Sequence, residues 1–370
     1  MTAVLHVIDR SVTETELQVL ALLRSRSTAY RHELAAIDGA THQRVSTFLQ
    51  CEVALTPRRM PAALNWAPQL SQWARKKDGA VYHAWGLEAA RVCKARGVSA
   101  TVVLTLLDPG QADDAARWLR SGPANVAVIA GSQVIRGRLL SRGVAADRVV
   151  VVRGGVDFGA INAAKQSSHR RALVGEASPV LLLAGPPSRG GGQFYGLWAV
   201  AIVAQIHRGL RVIMPYPSAE ADRLTGFLDQ IRMPQLLIRP PNGMRWAELM
   251  SAADAFVMPA IEDVCIEPIG WAMASGVAIV ASAVRSITEL IADKHNGFLC
   301  KAGQPRVLAS RILTALEDAE LRRRVTEVAR GQAYEVFGVR SFVDHCERVY
   351  SNVLAGRPVS EGVADNAVVA

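Results

Sequence analysis

Short, wholly apolar runs alternate along this chain with longer stretches whose apolar positions return every three or four residues. Runs of the first kind suit strands buried on both faces, and stretches of the second kind suit amphipathic helices. The pattern therefore predicts an α/β fold of strand, helix, strand repeats with parallel sheets covered on both sides. The expected strands are 3–8, 80–84, 101–106, 126–130 and 148–152 in the first half, and 180–184, 211–214, 235–238, 255–258 and 277–281 in the second. Two similar sheets are implied.

The stretch 154–178 holds Gly, Asn, Gln, Ser and basic residues without a clear strand, which suits a linker with a peripheral element. A boundary near residue 160 divides the chain into a Rossmann-like domain over 1–160 and a second over 161–338. Leu308, Ile312 and Leu316, then Leu321, Val325 and Val328, mark packing helices at helical spacing. Residues 339–354 read as a terminal helix placed to pack back on the first domain, and 355–370 as a frayed tail. A length of 370 residues exceeds what one core organises, in agreement with two domains.

Charge and cysteines narrow the function classes. Lys and Arg number 42 against 33 Asp and Glu, a net +9, and basic clusters such as Arg58-Arg59 and Arg75-Lys76-Lys77 lie in the first half. That surplus favours anionic ligands or surfaces, but no nucleic-acid module accompanies it. The five cysteines are scattered without a Cys-x-x-Cys pair, which argues against a disulfide framework or a zinc site. The opening apolar run lacks a basic lead, and the most apolar stretch, 197–206, is too short to span a bilayer. The expectation is a cytoplasmic protein, compatible with peripheral contact at the inner membrane surface.

The chemistry concentrates in 251–299. There a buried strand ends at Pro259 and passes into an acidic loop with Glu262, Asp263 and Glu267. A small-residue helix over 271–275 follows, stopped by Gly276, and then a second buried strand. In open α/β sheets ligands bind beyond the carboxyl ends of strands, where this loop falls. An earlier run, Gly185 followed by Arg189, Gly190, Gly191 and Gly192, also leaves a buried strand and has the composition of a phosphate-binding turn.

The 251–299 segment resembles the donor domain of the retaining GT-B glycosyltransferases, glycosyltransferase family 4. Ala272-Met273-Ala274, Gly276, Val280-Ala281-Ser282, Glu289 and Asn296-Gly297-Phe298-Leu299 stand in positions matching that family's pattern. The resemblance implies two Rossmann-like domains across a cleft. Sugar would pass from a UDP-, GDP- or ADP-linked donor to an acceptor hydroxyl, sugar or lipid-linked, with retention of configuration and without a metal. It assigns the donor diphosphate to Gly185, Arg189, Gly190, Gly191, Gly192, Arg285, Ser286, Ile287, Thr288 and Glu289. The donor sugar goes to a carboxylate among Glu262, Asp263 and Glu267, and the acceptor side to His83. The family's two spaced glutamates fall on Asp263 and Trp271, and its expected histidine on Leu107. These departures motivate the alternative of a catalytically inactive GT-B-fold subunit that binds a partner.

Overall fold

The computed structural model describes residues 2–54, 80–94, 102–122, 125–176, 178–186, 188–215 and 221–363. The basic clusters at 58–59 and 75–77 lie outside them. The chain divides into two compact units, Met1–Gly155 with the C-terminal segment from Val339, and Val156–Gly338.

The first unit is built on a six-stranded sheet, β1 (Ala3–Ile8), β2 (Arg31–Ala36), β3 (Val81–Trp85), β4 (Val102–Leu106), β5 (Val126–Ala130) and β6 (Val149–Val151), in the order β2-β1-β3-β4-β5-β6. All pairings are parallel, and β1, β3, β4, β5 and β6 are buried along their whole length. Val and Ile dominate them because β-branched side chains lose little freedom on a pleated surface covered on both faces. Between the strands, Leu87, Ala90, Cys93, Leu119 and Leu139 come from the covering helices and close one face of the core. The order reverses between β1 and β3, which makes their carboxyl ends the switch point of this sheet.

The second unit repeats the plan with β7 (Val180–Leu183), β8 (Arg211–Ile213), β9 (Leu237–Ile238), β10 (Ala255–Met258), β11 (Ala278–Ser282) and β12 (Phe298–Cys300), in the order β12-β11-β10-β7-β8-β9. Ala255 lies opposite Leu181 on one side and Ala278 on the other, so β10 is central and its four residues are all buried. Here the switch point falls between β7 and β10. Leu308, Ile312 and Val325 join this core from helices Pro305–Glu317 and Ala319–Val336. Phe158–Lys165 and His169–Val174 occupy the expected linker and belong to this unit. Arg170 fastens them by pairing with Asp254 at 2.9 Å and donating to the Ala252 carbonyl.

Three expectations need correction. β2 and β12 were not anticipated, and at 234–238 a turn of 3-10 helix, Pro234–Leu236, leaves only Leu237–Ile238 as strand. The helix after the acidic loop begins at Glu267 rather than 271 and ends where Gly276 adopts φ +68. The tail is also held through 363. The Val359 N–H donates to the Asp147 carbonyl, and the Asn352 amide donates to the carbonyls of Val359 and Glu361. Among the described residues, no helix is long and apolar enough to cross a membrane.

Candidate functional site

Three loops leave the carboxyl ends of the neighbouring strands β7, β10 and β11. The first runs from Gly185 through the 3-10 turn Arg189–Gly191 to Gly192, which caps the helix Gln193–Ile206. Its glycines are required by close packing. Gly192 sits at φ +67, and a Cβ there would overlap the Pro259 carbonyl at the end of β10. Gly190 accepts hydrogen bonds at its carbonyl from the N–H groups of Ile261, at 2.9 Å, and Glu262, at 3.2 Å. The glycine loop and the acidic loop are therefore fastened together at the switch point.

This fastening alters one expectation. The N–H groups of Gly191 and Gly192 donate to the carbonyls of Ser188 and Arg189, inside the turn. Those two amides are thus spent on the shape of the turn. The first amides of helix Gln193–Ile206 stand at its positive dipole end, and the side chain of Arg189 beside them is exposed. Sequence reasoning overlooked Gln193. It is 2 % exposed, donates through Nε2 to the Gly185 carbonyl at 3.1 Å, and leaves its buried Oε1 without a partner among the described residues. Its place directly after the glycine run was the available signal.

The three candidate carboxylates separate cleanly. Asp263 is tied to the loop after β11. Its Oδ1 accepts from the Ser286 N–H at 3.0 Å and its Oδ2 from Arg285 at 2.8 Å, and its side chain is 6 % exposed. Ser286 is fully buried and accepts at Oγ from the Val264 N–H at 3.0 Å. Ser286 and Asp263 thus join two loops, and Arg285 is committed to Asp263 rather than standing as an isolated cation. Glu267 is buried in the first turn of its helix, with Pro268 beside it and Trp271 one turn on, 4 % exposed. Glu262 alone of the three is exposed, and its carboxylate lies over Gly190, with Oε2 2.7 Å from where a Cβ would stand. Ile287 is buried, Thr288 bonds back to the Arg285 carbonyl, and Glu289 is half-buried at the end of the turn Arg285–Thr288.

His83 is not at a surface. It lies in mid-β3 with no exposure, and its Nδ1 and Nε2 each lie 2.6 Å from a hydroxyl, those of Tyr350 and Thr105. Burial drives its pKa down to about 3, with His32 adding repulsion. A neutral, fully bonded, inaccessible imidazole is a core group, and His83 leaves the candidate catalytic set. Trp85 Nε1 donates to His6 Nδ1 at 3.0 Å, so the His6 proton sits on Nε2 and points to His32 Nδ1 at 2.7 Å. At this sheet's switch point Asp9 is buried. Its Oδ2 accepts from the N–H groups of Glu88 and Ala89, and its Oδ1 from the Ser11 N–H and hydroxyl. The chain thus fills the helix N-terminus after β3 with its own carboxylate. Among the described residues, no group of His, Cys, Asp and Glu is arranged to hold a metal ion.

Residues 241–332, which contain the acidic loop and the turn after β11, match the family described as Glycosyl transferases group 1. A stretch of 108 residues, 29 % of this chain, is 32 % identical to N-acetyl-alpha-D-glucosaminyl L-malate synthase of Bacillus anthracis, and it spans 28 % of that protein's length. Among solved structures, Anabaena Alr3699/HepE in complex with UDP and glucose is similar at TM-score 0.76 and 18 % identity, over 95 % of this chain and 100 % of that one. Sucrose-phosphate synthase from Thermosynechococcus elongatus is similar at TM-score 0.73 and 16 % identity, over 96 % and 100 %. The fold is GT-B, two Rossmann-like α/β units each with a six-stranded parallel sheet.

Proposed function

We propose that the chain transfers a sugar from a nucleoside diphosphate sugar to an acceptor hydroxyl with retention of configuration, the second unit holding the donor. The observation that carries this reading is the joining of three loops at the β7/β10 switch point, where Gly190 receives two amides of the acidic loop. The solved Anabaena structures are in complex with UDP and glucose, UDP, and UDP-glucose, which makes uracil the first base to test.

On this reading Arg189 and the amides opening helix Gln193–Ile206 neutralise the leaving diphosphate. Electrostatic stabilisation of developing charge by groups already in place is the main catalytic contribution such a site can make. Glu262 is the carboxylate that meets the sugar, because the Asp263 side chain is tied to Arg285 and Ser286 and Glu267 is buried. The acceptor proton passes to the departing phosphate, so no side-chain base is required.

Replacing Arg189 by Ala removes a charge-assisted phosphate contact, and the expected cost is a loss of donor affinity of about tenfold or more. Titration of UDP-glucose, GDP-mannose and ADP-glucose into wild type and variant by calorimetry reads it. The buried Trp271 at the family's ribose position and the engaged Asp263 favour the second reading, a non-catalytic subunit. Absence of heat with every donor, together with capture of a partner transferase, would establish that alternative.

A further inference from the structure

The edge of the second sheet opposite the three loops, at the amino ends of β8 and β9, carries a cavity of about 380 Å³. That is the size of a small-molecule site. Its apolar lining is Ala204, Leu210 and Leu236, all buried, with Met233. Arg208, Arg211, Gln205 and Gln235 stand around it. Arg211 is held against the wall by donating Nη1 to the Leu210 carbonyl at 2.9 Å. No carboxylate lines the cavity, and neither arginine has an ion-pair partner among the described residues. The adjacent acid Glu317 is engaged by His207 at 3.1 Å.

The C-terminus of helix Gln193–Ile206 explains part of this charge. A helix end carries about half a negative charge, which one nearby cation more than offsets. Two arginines and two amide side chains lining one cavity exceed that need. Guanidinium forks match phosphate oxygens in a bidentate way, and side-chain amides can meet a phosphate or its hydroxyl-bearing substituent.

We propose that this cavity is a second anion site, binding a phosphate monoester group through Arg208 and Arg211, apart from the candidate donor site. The phosphate is carried by a soluble compound or by a lipid headgroup. Ile206, 60 % exposed, lies one helical step from the rim and suits the second source as well as the first.

The experiment uses the full chain in four forms: wild type, Arg189→Gln, the double variant R208Q/R211Q and the charge-matched control R324Q/R340Q. Inorganic phosphate is titrated at constant ionic strength against chloride, and the unfolding temperature is followed. A saturable rise is expected in wild type, R189Q and R324Q/R340Q, with apparent affinity at least about tenfold weaker in R208Q/R211Q. In parallel, flotation with phosphatidylcholine vesicles is compared with and without phosphatidic acid. Retention that depends on phosphatidic acid and is lost only in R208Q/R211Q assigns the phosphate to a lipid. A response to inorganic phosphate alone assigns it to a soluble compound. The lysine pair R208K/R211K keeps the charge and is expected to keep the response, which separates loss of the site from loss of fold. The proposal is overturned if R208Q/R211Q behaves as the control does in both arms, or if wild type responds in neither. R208Q/R211Q and the control are also compared in the R189Q background, so that both results are independent of the candidate donor site.

Discussion

The buried imidazole of His83 makes the first unit sensitive to acid, and the size of the effect follows from its environment. In an unfolded chain a histidine titrates near 6.5, whereas burial in β3 takes His83 down to about 3. A group whose folded pKa is depressed binds fewer protons in the native state, so its contribution is full above 6.5 and is lost as the pH falls toward 3. At pH 5 the loss is about 2 kcal/mol, from 1.5 pH units at 1.36 kcal/mol each, and at pH 7.5 it is close to zero. The groups around the ring do not relieve it. Tyr350 and Thr105 supply hydroxyls, while His32 is itself pushed down to about 4 by burial and Arg24. Glutamine at 83 keeps hydrogen-bonding capacity and removes the titration. Hydrogen exchange of the β3 amides, corrected for intrinsic rates, reads the opening free energy of this unit. Between pH 7.5 and 5.0 the wild type is expected to lose about 2 kcal/mol more than His83→Gln. Parallel profiles for the two proteins would refute the reasoning.

Other substitutions test the scaffold and the candidate site. Gly192→Ala places a Cβ against the Pro259 carbonyl at φ +67, and the expected destabilisation is about 2 kcal/mol or more, measured by thermal unfolding. Gly226→Ala, in helix Ala221–Gln230 with open space around it, is expected to stabilise by about 0.5–1 kcal/mol in the same assay. Val359→Asp puts a carboxylate where a side chain is 5 % exposed, and about 2 kcal/mol of stability should be lost from the first unit. Asp263→Asn and Glu262→Gln are expected to separate. The first weakens the tie to Arg285 and Ser286 and lowers the unfolding temperature, while the second leaves it unchanged and reduces donor binding or turnover. Equal behaviour of the two would return the sugar-facing role to Asp263.

Strands were legible wherever both faces are buried, because a run such as Val126-Ala127-Val128-Ile129-Ala130 admits few other readings. β2 was illegible for the opposite reason. It is an edge strand beginning Arg31-His32-Glu33, only half covered, and its place is set by pairing with β1. β12 has three residues, too few for a period to show. The glycine loop was legible from its position after a buried strand, but its partners were not. The Asp263 to Arg285 pair spans 22 residues and exists because β10 and β11 are neighbours, and the His83 to Tyr350 pair spans 267. Side chains that a sequence pattern lists as candidates are thus sorted by long-range contacts that no local window contains.

The same sorting acts on the positions that resemble the family's pattern. An aspartate at 263 reaches the Ser286 amide and Arg285. These bonds tie the loop after β10 to the loop after β11 and engage both oxygens of the Asp263 carboxylate. The exposed place passes to Glu262, one residue earlier and over Gly190. At the second position Trp271 fills the helix face, and the acid on that face, Glu267, lies one turn back and buried. On the proposed reading, specificity rests on one exposed carboxylate above a glycine turn bonded to the acidic loop. Donor discrimination should then depend more on Arg189 and Glu262 than on the residues that the family's spacing selects.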